Sequence, residues 1–353
     1  MKRKLILLCF VIAIVFVSCK KDTHKPEVFS VGTGVFVLNE GTFTYANSSL
    51  SFYDFNTNEV INNLFFRVNV APIGDIGQSL AMVGDDLYIV VNNSKYIYNV
   101  NAKTIQNQAK IEGFTSPRYM LRVGNNKAYI SDLASPGLWS LNLDTYAKEL
   151  INTGKSTECM VKINNEVFVS NWSKSYVSFE NNTVQVIDCV NDSLVAEIEV
   201  TQEPRAMVVD KNDNIWVICN GGWDPTSVQN PALICINPAT REIVKRFDFT
   251  PGVDSPDGLA IDGEGENIFF MNGAYGALNI YKMSVDAMEI PDTAFIASEG
   301  RWFYNLTVHP QNGDIYVTEA KTTSNGNLLR YTSDGTLVGC YEVGMFPSYM
   351  LFN

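Results

Sequence analysis

What most narrows the possible folds of this sequence is a unit of roughly forty to fifty residues that comes round seven times. Each unit opens with a turn and places an apolar residue three positions on: Gly77-Gln-Ser-Leu80, Pro117-Arg-Tyr-Met120, Thr157-Glu-Cys-Met160, Pro204-Arg-Ala-Met207, Pro256-Asp-Gly-Leu259, Phe303-Tyr-Asn-Leu306 and Pro347-Ser-Tyr-Met350. A polar hairpin turn follows, such as Gly84-Asp-Asp86 or Gln311-Asn-Gly313, and then a second strand rich in Val, Ile and aromatics, such as Leu87-Tyr-Ile-Val-Val91 or Ile215-Trp-Val-Ile218. A third strand ending in a turn, as at Ile236-Asn-Pro-Ala-Thr240, and a fourth, as at Glu242-Ile-Val-Lys-Arg-Phe247, complete a four-stranded antiparallel unit. No long helical period intervenes.

A lone sheet of this kind has two apolar faces, so neighbouring units must pack face to face. The remaining question is what happens at the two ends of the row. The first unit has no opening strand, because Val35-Phe-Val-Leu38 already reads as a second strand, while the chain finishes on an orphan opening strand, Tyr349-Met-Leu-Phe352. The C-terminus is therefore expected to fill the first sheet and close a ring, which removes the free edges that invite aggregation. An open solenoid would need polar caps, and neither end offers one. The predicted fold is all-β: a seven-bladed β-propeller over residues 31–353, its first blade closed by the C-terminal strand.

The first residues suit neither blade nor linker. Met1-Lys-Arg-Lys4 is basic, Leu5 to Val17 is wholly apolar, and Ser18-Cys19 follows. The apolar run is short for a bilayer span. It reads as a lipoprotein signal peptide over 1–18, with acylation of Cys19 and a lipidated tether over 19–30. Removing 1–18 takes Lys2, Arg3 and Lys4 from 26 basic residues and leaves 38 acidic ones untouched, so the formal charge moves from −12 to −15. A surface so acidic would repel phosphate backbones, which argues against a nucleic-acid partner. Beyond Cys9 and Cys19, five cysteines remain, and five cannot all pair. They read mostly as small buried apolar side chains, with Cys219 and Cys235 the one pair worth testing as a disulfide.

The Pro-x-x-Met and Pro-x-x-Leu openings and Asn-terminated second strands resemble the YVTN/YncE-like propeller class. Together with the lipoprotein start and Phe36-Val-Leu-Asn-Glu-Gly-Thr-Phe43, they resemble the BtuG family, surface lipoproteins of gut Bacteroides. That resemblance implies a lipid-anchored outer-membrane protein, exposed at the cell surface. It would capture cobalamin and related corrinoids and pass them to a TonB-dependent transporter, with cobalamin as ligand and no cofactor.

In a propeller, the loops from second to third strands and those preceding first strands meet at one mouth of the central channel. A polar residue closes every second strand: Asn39, Asn92, Asp132, Asn171, Asn220, Asn272 and Glu319. Such residues either hold local backbone or face a ligand. The same loops carry Phe43, Tyr45, Tyr96, Trp172, Tyr176, Trp223 and Tyr275, and the loops before first strands add Phe114, Trp302, Tyr304, Phe346 and Tyr349, with Arg118, Glu158, Arg205 and Asp257 alongside. Rings gathered on one face offer flat apolar area, and the interspersed amides and charges orient what binds there. The expected ligand-binding set is Phe43, Tyr45, Asn92, Arg118, Asp132, Trp172, Tyr176, Arg205, Trp223, Asp257, Tyr275, Trp302, Tyr304, Glu319 and Tyr349.

Catalytic alternatives have fewer residues to draw on. The two histidines, His24 and His309, fall in the tether and in a turn expected on the opposite face, which leaves no histidine-based centre. Asp210-Lys-Asn-Asp-Asn214 has the opening rhythm of a calcium loop without its later ligands, where a hairpin turn is required. A carboxylate-and-amide cation site at the channel mouth, built from Asp132, Glu158, Asp257, Glu319 and the ring of asparagines and serving a hydrolase or lactonase, stands as the alternative. A glycan- or protein-binding scaffold is a third reading.

Overall fold

The computed structural model describes residues 25–172, 181–222 and 229–353, and it is a closed ring of seven antiparallel sheets. The signal segment 1–18, Cys19, His24, Tyr176 and Trp223 lie outside the described residues. Closure takes the expected form. The final strand Pro347–Phe352 pairs antiparallel with Gly34–Asn39, running from Val35 opposite Phe352 to Leu38 opposite Tyr349, and Ser49–Asp54 and Glu59–Ile61 complete the first blade.

Seven described apolar clusters each join two adjacent blades, so the core is divided among the interfaces and the channel is left open. The closing interface sets Val35, Val37 and Tyr53 of the first blade against Tyr316 and Leu328 of the last. Second strands therefore have packed neighbours on both faces. This is why Ile215–Cys219 is apolar without alternation and buried at every position. Fourth strands see packing on one side only, and Glu242–Asp248 is correspondingly polar and exposed along most of its length.

Two details depart from a uniform four-stranded repeat. The sixth blade has three strands, Asp257–Ile261, Asn267–Asn272 and Asn279–Ser284. Its outer place is taken by irregular chain that pairs with the third strand at a single bridge, where the Ile280 N–H donates to the Ile296 carbonyl at 2.9 Å and its carbonyl accepts from Phe295 at 2.8 Å, beside a bond from Ser298 N–H to Asn279 Oδ1 at 2.9 Å. Pro291, with no N–H to give a ladder, stands in the chain that would have to form the missing strand. In four of the complete blades the outer strand carries a register shift that leaves Gln108, Val195, Val244 or Val338 unpaired. Such bulges twist an exposed edge away from foreign strands.

The described cysteines are all free. Cys219 and Cys235 cannot bridge, because Cys219 sits opposite Ala232 and Cys235 opposite Trp216, and the two thiols enter different interblade cores. Cys189, Cys219 and Cys235 are buried as read, but Cys340 is exposed. Asp210 holds the tight turn expected of it: one carboxylate oxygen accepts from Asn212 and Asn214 N–H and the other from Trp216 Nε1 at 2.9 Å. His309 packs its ring on Phe55 and Phe352, with centroids 5.5 and 4.9 Å away, at the far end of the closing strand.

Candidate functional site

Seven innermost strands begin at the same end of the channel, and the second residue of each opening is polar: Gln78, Arg118, Glu158, Arg205, Asp257, Tyr304 and Ser348. All but Glu158 line a cavity of about 630 Å³ in the channel, together with Glu40 from the first blade. Glu158 stands behind Arg118, its side chain 2% exposed, and the two form a two-pronged pair with Nε to Oε2 and Nη2 to Oε1 both at 2.8 Å. The third prong of Arg118 donates to Gln78 Oε1. Burial works against the Arg118 charge, but the Glu158 carboxylate outweighs it and holds the guanidinium protonated. Arg205 makes a second pair with Asp257 at 2.7 Å, and Tyr304 Oη donates to Glu40 Oε2 at 3.0 Å.

Deeper in the channel the lining turns apolar. Tyr119 and Tyr349 lie 6.2 Å apart between ring centroids, above Met120, Met160, Met207 and Met350. Burial pushes the Tyr349 phenol and the Cys159 thiol up to about 12, so both are neutral at ordinary pH.

Over this lining stand the rings. The Trp172 indole is flanked by both arginines, with the guanidinium carbons of Arg118 and Arg205 at 5.9 and 5.8 Å from its ring centre. Its Nε1–H is buried without a hydrogen-bond partner among the described residues. Trp302 meets Tyr304 at 5.8 Å, Phe346 at 6.2 Å and Tyr275 at 6.5 Å. Tyr275, Phe43 and Tyr45 are 72, 63 and 73% exposed. The last two are held outward by a loop whose geometry has an energetic cost. Thr44 and Ala46 adopt left-handed backbone (φ 72° and 51°), fixed by Thr42 N–H on Asn47 Oδ1 and Thr44 N–H on the Asp75 carboxylate. Strain maintained by specific hydrogen bonds in order to display two apolar rings to solvent is characteristic of binding surfaces.

Of the expected ligand-binding set, Arg118, Arg205, Asp257, Tyr304 and Tyr349 line the cavity. Trp172 and Trp302 pack against that lining, and Phe43, Tyr45 and Tyr275 are displayed to solvent. Three members belong elsewhere. Asp132 is wholly buried, and its carboxylate accepts from the Thr115, Ser116 and Ala134 N–H groups at 2.9 Å and from Trp139 Nε1 at 3.2 Å, which exhausts its lone pairs on the blade itself. Asn92 reaches into the next blade, donating to Ser116 Oγ at 2.8 Å and the Pro117 carbonyl at 3.0 Å. Glu319 is 9% exposed and accepts from Asn327 Nδ2 at 2.6 Å. Two of the wider candidates also pack inward: Phe114 is buried edge-on to Trp139, and Tyr96 donates its hydroxyl to the Ile73 carbonyl at 2.6 Å.

The carboxylates suggested for a cation site do not converge, and among the described residues no group of three or more His, Cys, Asp or Glu is placed to hold a metal ion. Glu40, Gln78, Asn305 and Ser348 line the cavity without having been singled out. Gln78 and Ser348 share the repeat position of Arg118 and Arg205, so that position was the available signal; Glu40 lies just after a second strand, beside Asn39.

Seven blades around a lined channel define a seven-bladed β-propeller, and comparison with known proteins agrees on that fold. Residues 33–353 match the family described as Domain of unknown function (DUF5074), and the chain belongs to that family. No curated protein matches the chain. A quinonprotein alcohol dehydrogenase-like protein from Bacteroides thetaiotaomicron superposes with a TM-score of 0.69 at 16% identity, over 92% of this chain and 79% of that one. A candidate 6-phosphogluconolactonase from Bacteroides fragilis gives 0.65 at 12%, over 91% and 98%. Apo AztD from Citrobacter koseri gives 0.58 at 10%, over 91% and 99%. At these identities the likeness is one of fold.

Proposed function

We propose that this protein is a lipid-anchored outer-membrane capture protein that seats cobalamin or a related corrinoid at the channel mouth and passes it to a TonB-dependent transporter. The observation that carries the reading is the composition of that mouth. A corrin is a broad plate edged with amides, and the mouth combines flat rings (Trp172, Trp302, Tyr304) with side chains that can hydrogen-bond an amide edge (Gln78, Ser348, Glu40), above an apolar lining. Its two arginines are each matched by a carboxylate, which suits a ligand with little net charge better than a phosphorylated one. The buried, unpartnered Trp172 Nε1–H costs about 1–3 kcal/mol unless a ligand acceptor meets it. The anchor and the surface location rest on the basic-apolar-Ser-Cys start and on the resemblance in the repeats, and delivery to a transporter rests on the resemblance alone.

Titration calorimetry with cyanocobalamin tests the reading. Saturable heat and a raised melting temperature are expected, and changing Trp172 or Trp302 to Ala should weaken binding by roughly 1–3 kcal/mol. Absence of both heat and thermal shift at excess ligand would exclude corrinoid capture.

A further inference from the structure

Five arginine and carboxylate side chains meet at the channel mouth, and four of them are already paired: Arg118 with Glu158 at 2.8 Å and Arg205 with Asp257 at 2.7 Å. Glu40 is the fifth. Its backbone is fixed on both sides, the N–H donating to the Phe346 carbonyl at 2.9 Å and the carbonyl accepting from the Ser48 hydroxyl, while its side chain lines the cavity. The next residue adds a further clamp, Gly41 N–H on the Met345 carbonyl at 3.1 Å. The position is thus rigidly built, yet among the described residues the carboxylate has no cationic partner of its own.

Its hydrogen bonding is also incomplete. Tyr304 Oη donates to Oε2 at 3.0 Å, while the Ser348 hydroxyl, which lines the same cavity, donates to the Gly77 carbonyl at 3.5 Å. An ionised carboxylate has about four acceptor sites, so most of its capacity is unused, at a part-buried position where unused capacity is costly. We propose that Glu40 is the specificity-determining acceptor of the mouth, taking hydrogen bonds from the N–H groups of an amide-edged ligand. The inference rests on the corrinoid reading above and names the ligand chemistry that one residue selects: a primary amide or ammonium donor is favoured there, and a carboxylate or phosphate is refused.

Charge supports the geometry. Burial raises the Glu40 pKa above the ordinary range, only partly offset by Tyr304, by the Arg118 and Arg205 charges across the mouth and by Ser348. Glu158 and Asp257 face it only through those same arginines. A ligand N–H favours the ionised form, so binding pulls the pKa down and expels a proton from the fraction of molecules that carried one. Affinity therefore rises as pH rises through the Glu40 pKa of the free protein and falls as Glu40 is protonated.

The test is the pH dependence of cyanocobalamin affinity, from about pH 5 to about pH 8, for the wild type and for Glu40→Gln, a near-isosteric change that can still accept from Tyr304. The wild type should bind more tightly as pH rises. Glu40→Gln should show a flat profile, roughly 10- to 100-fold weaker at the alkaline end, where a charge-assisted bond has been lost, and should converge on the wild type at the acid end. Thermal melts of the two ligand-free proteins guard against a folding defect. If both bind with the same affinity and the same profile, or if Glu40→Gln binds more tightly near neutrality, Glu40 is not the acceptor, although corrinoid capture would survive. If the wild type fails to bind at any pH, the proposed function falls and this assignment falls with it.

Discussion

Two sets of polar residues recur around this propeller, one at the ends of second strands and one at the openings of innermost strands, and they behave differently. Five of the seven second-strand ends are asparagine, and four of these spend an amide hydrogen on backbone, Asn92 on Pro117, Asn171 on Ser156 at 2.8 Å, Asn220 on Pro256 at 2.8 Å and Asn39 on Ser49, while Asn272 donates to the Asp254 carboxylate at 2.9 Å. The innermost openings are Gln78, Arg118, Glu158, Arg205, Asp257, Tyr304 and Ser348, in which only arginine occurs twice. The difference has a physical origin. A latch needed blade after blade is the same problem solved repeatedly, so it favours one residue type, here asparagine in five blades of seven, whereas the lining of one shared cavity is under no such pressure to repeat. Uniformity at a repeat position marks construction, and variety around a shared cavity marks recognition.

That contrast can be broken first at Arg118, where the two roles overlap. Arg118→Ala leaves Glu158 buried and unpaired, which should destabilise the fold by about 3–5 kcal/mol and also weaken corrinoid binding. Replacing both partners, Arg118→Met with Glu158→Leu, should recover most of the stability while binding stays impaired. Recovery of both would show that Arg118 only holds the blade. Asp132→Ala comes next. It removes a wholly buried carboxylate that serves four donors, so a loss of about 3 kcal/mol is expected in denaturant titrations, with cyanocobalamin affinity per folded molecule unchanged. Asn92→Ala should cost about 1 kcal/mol, again with no change in affinity. Weakened binding in either variant would move second-strand ends back into the site.

The ring itself was legible in the sequence because it follows from a counting problem: an orphan opening strand at one end and a missing one at the other can be reconciled only by closure, and Val35 to Asn39 do pair with the last strand. The latches were harder to separate from the site. An amide that caps backbone and one that waits for a ligand look alike in one dimension. Register differs as well: Asp132 and Glu319 are paired strand residues, opposite Pro117 and Phe303, whereas Val91 and Cys219 hold those places in their blades and Asn92 and Asn220 come one residue later. The sixth blade hid its missing strand because strand content was read from neighbouring repeats. Glu40 stayed invisible because its surroundings, Tyr304, Ser348 and two arginines, come from four other strands, and only ring closure brings them together.

The smallest effect is the most discriminating, because it asks whether an exposed ring has any task besides packing. Tyr275 is 72% exposed, its ring centroid 6.5 Å from that of Trp302, so Tyr275→Ala removes little buried area and should change folding stability by less than about 0.5 kcal/mol. If the ring closes over a bound plate, affinity for cyanocobalamin should nevertheless fall, by about 1 kcal/mol or roughly fivefold, mainly through faster dissociation measured by stopped-flow. A variant that melts early would mean the ring is packing rather than waiting. One that melts and releases ligand as the wild type does would confine recognition to the cavity lining and to Trp172.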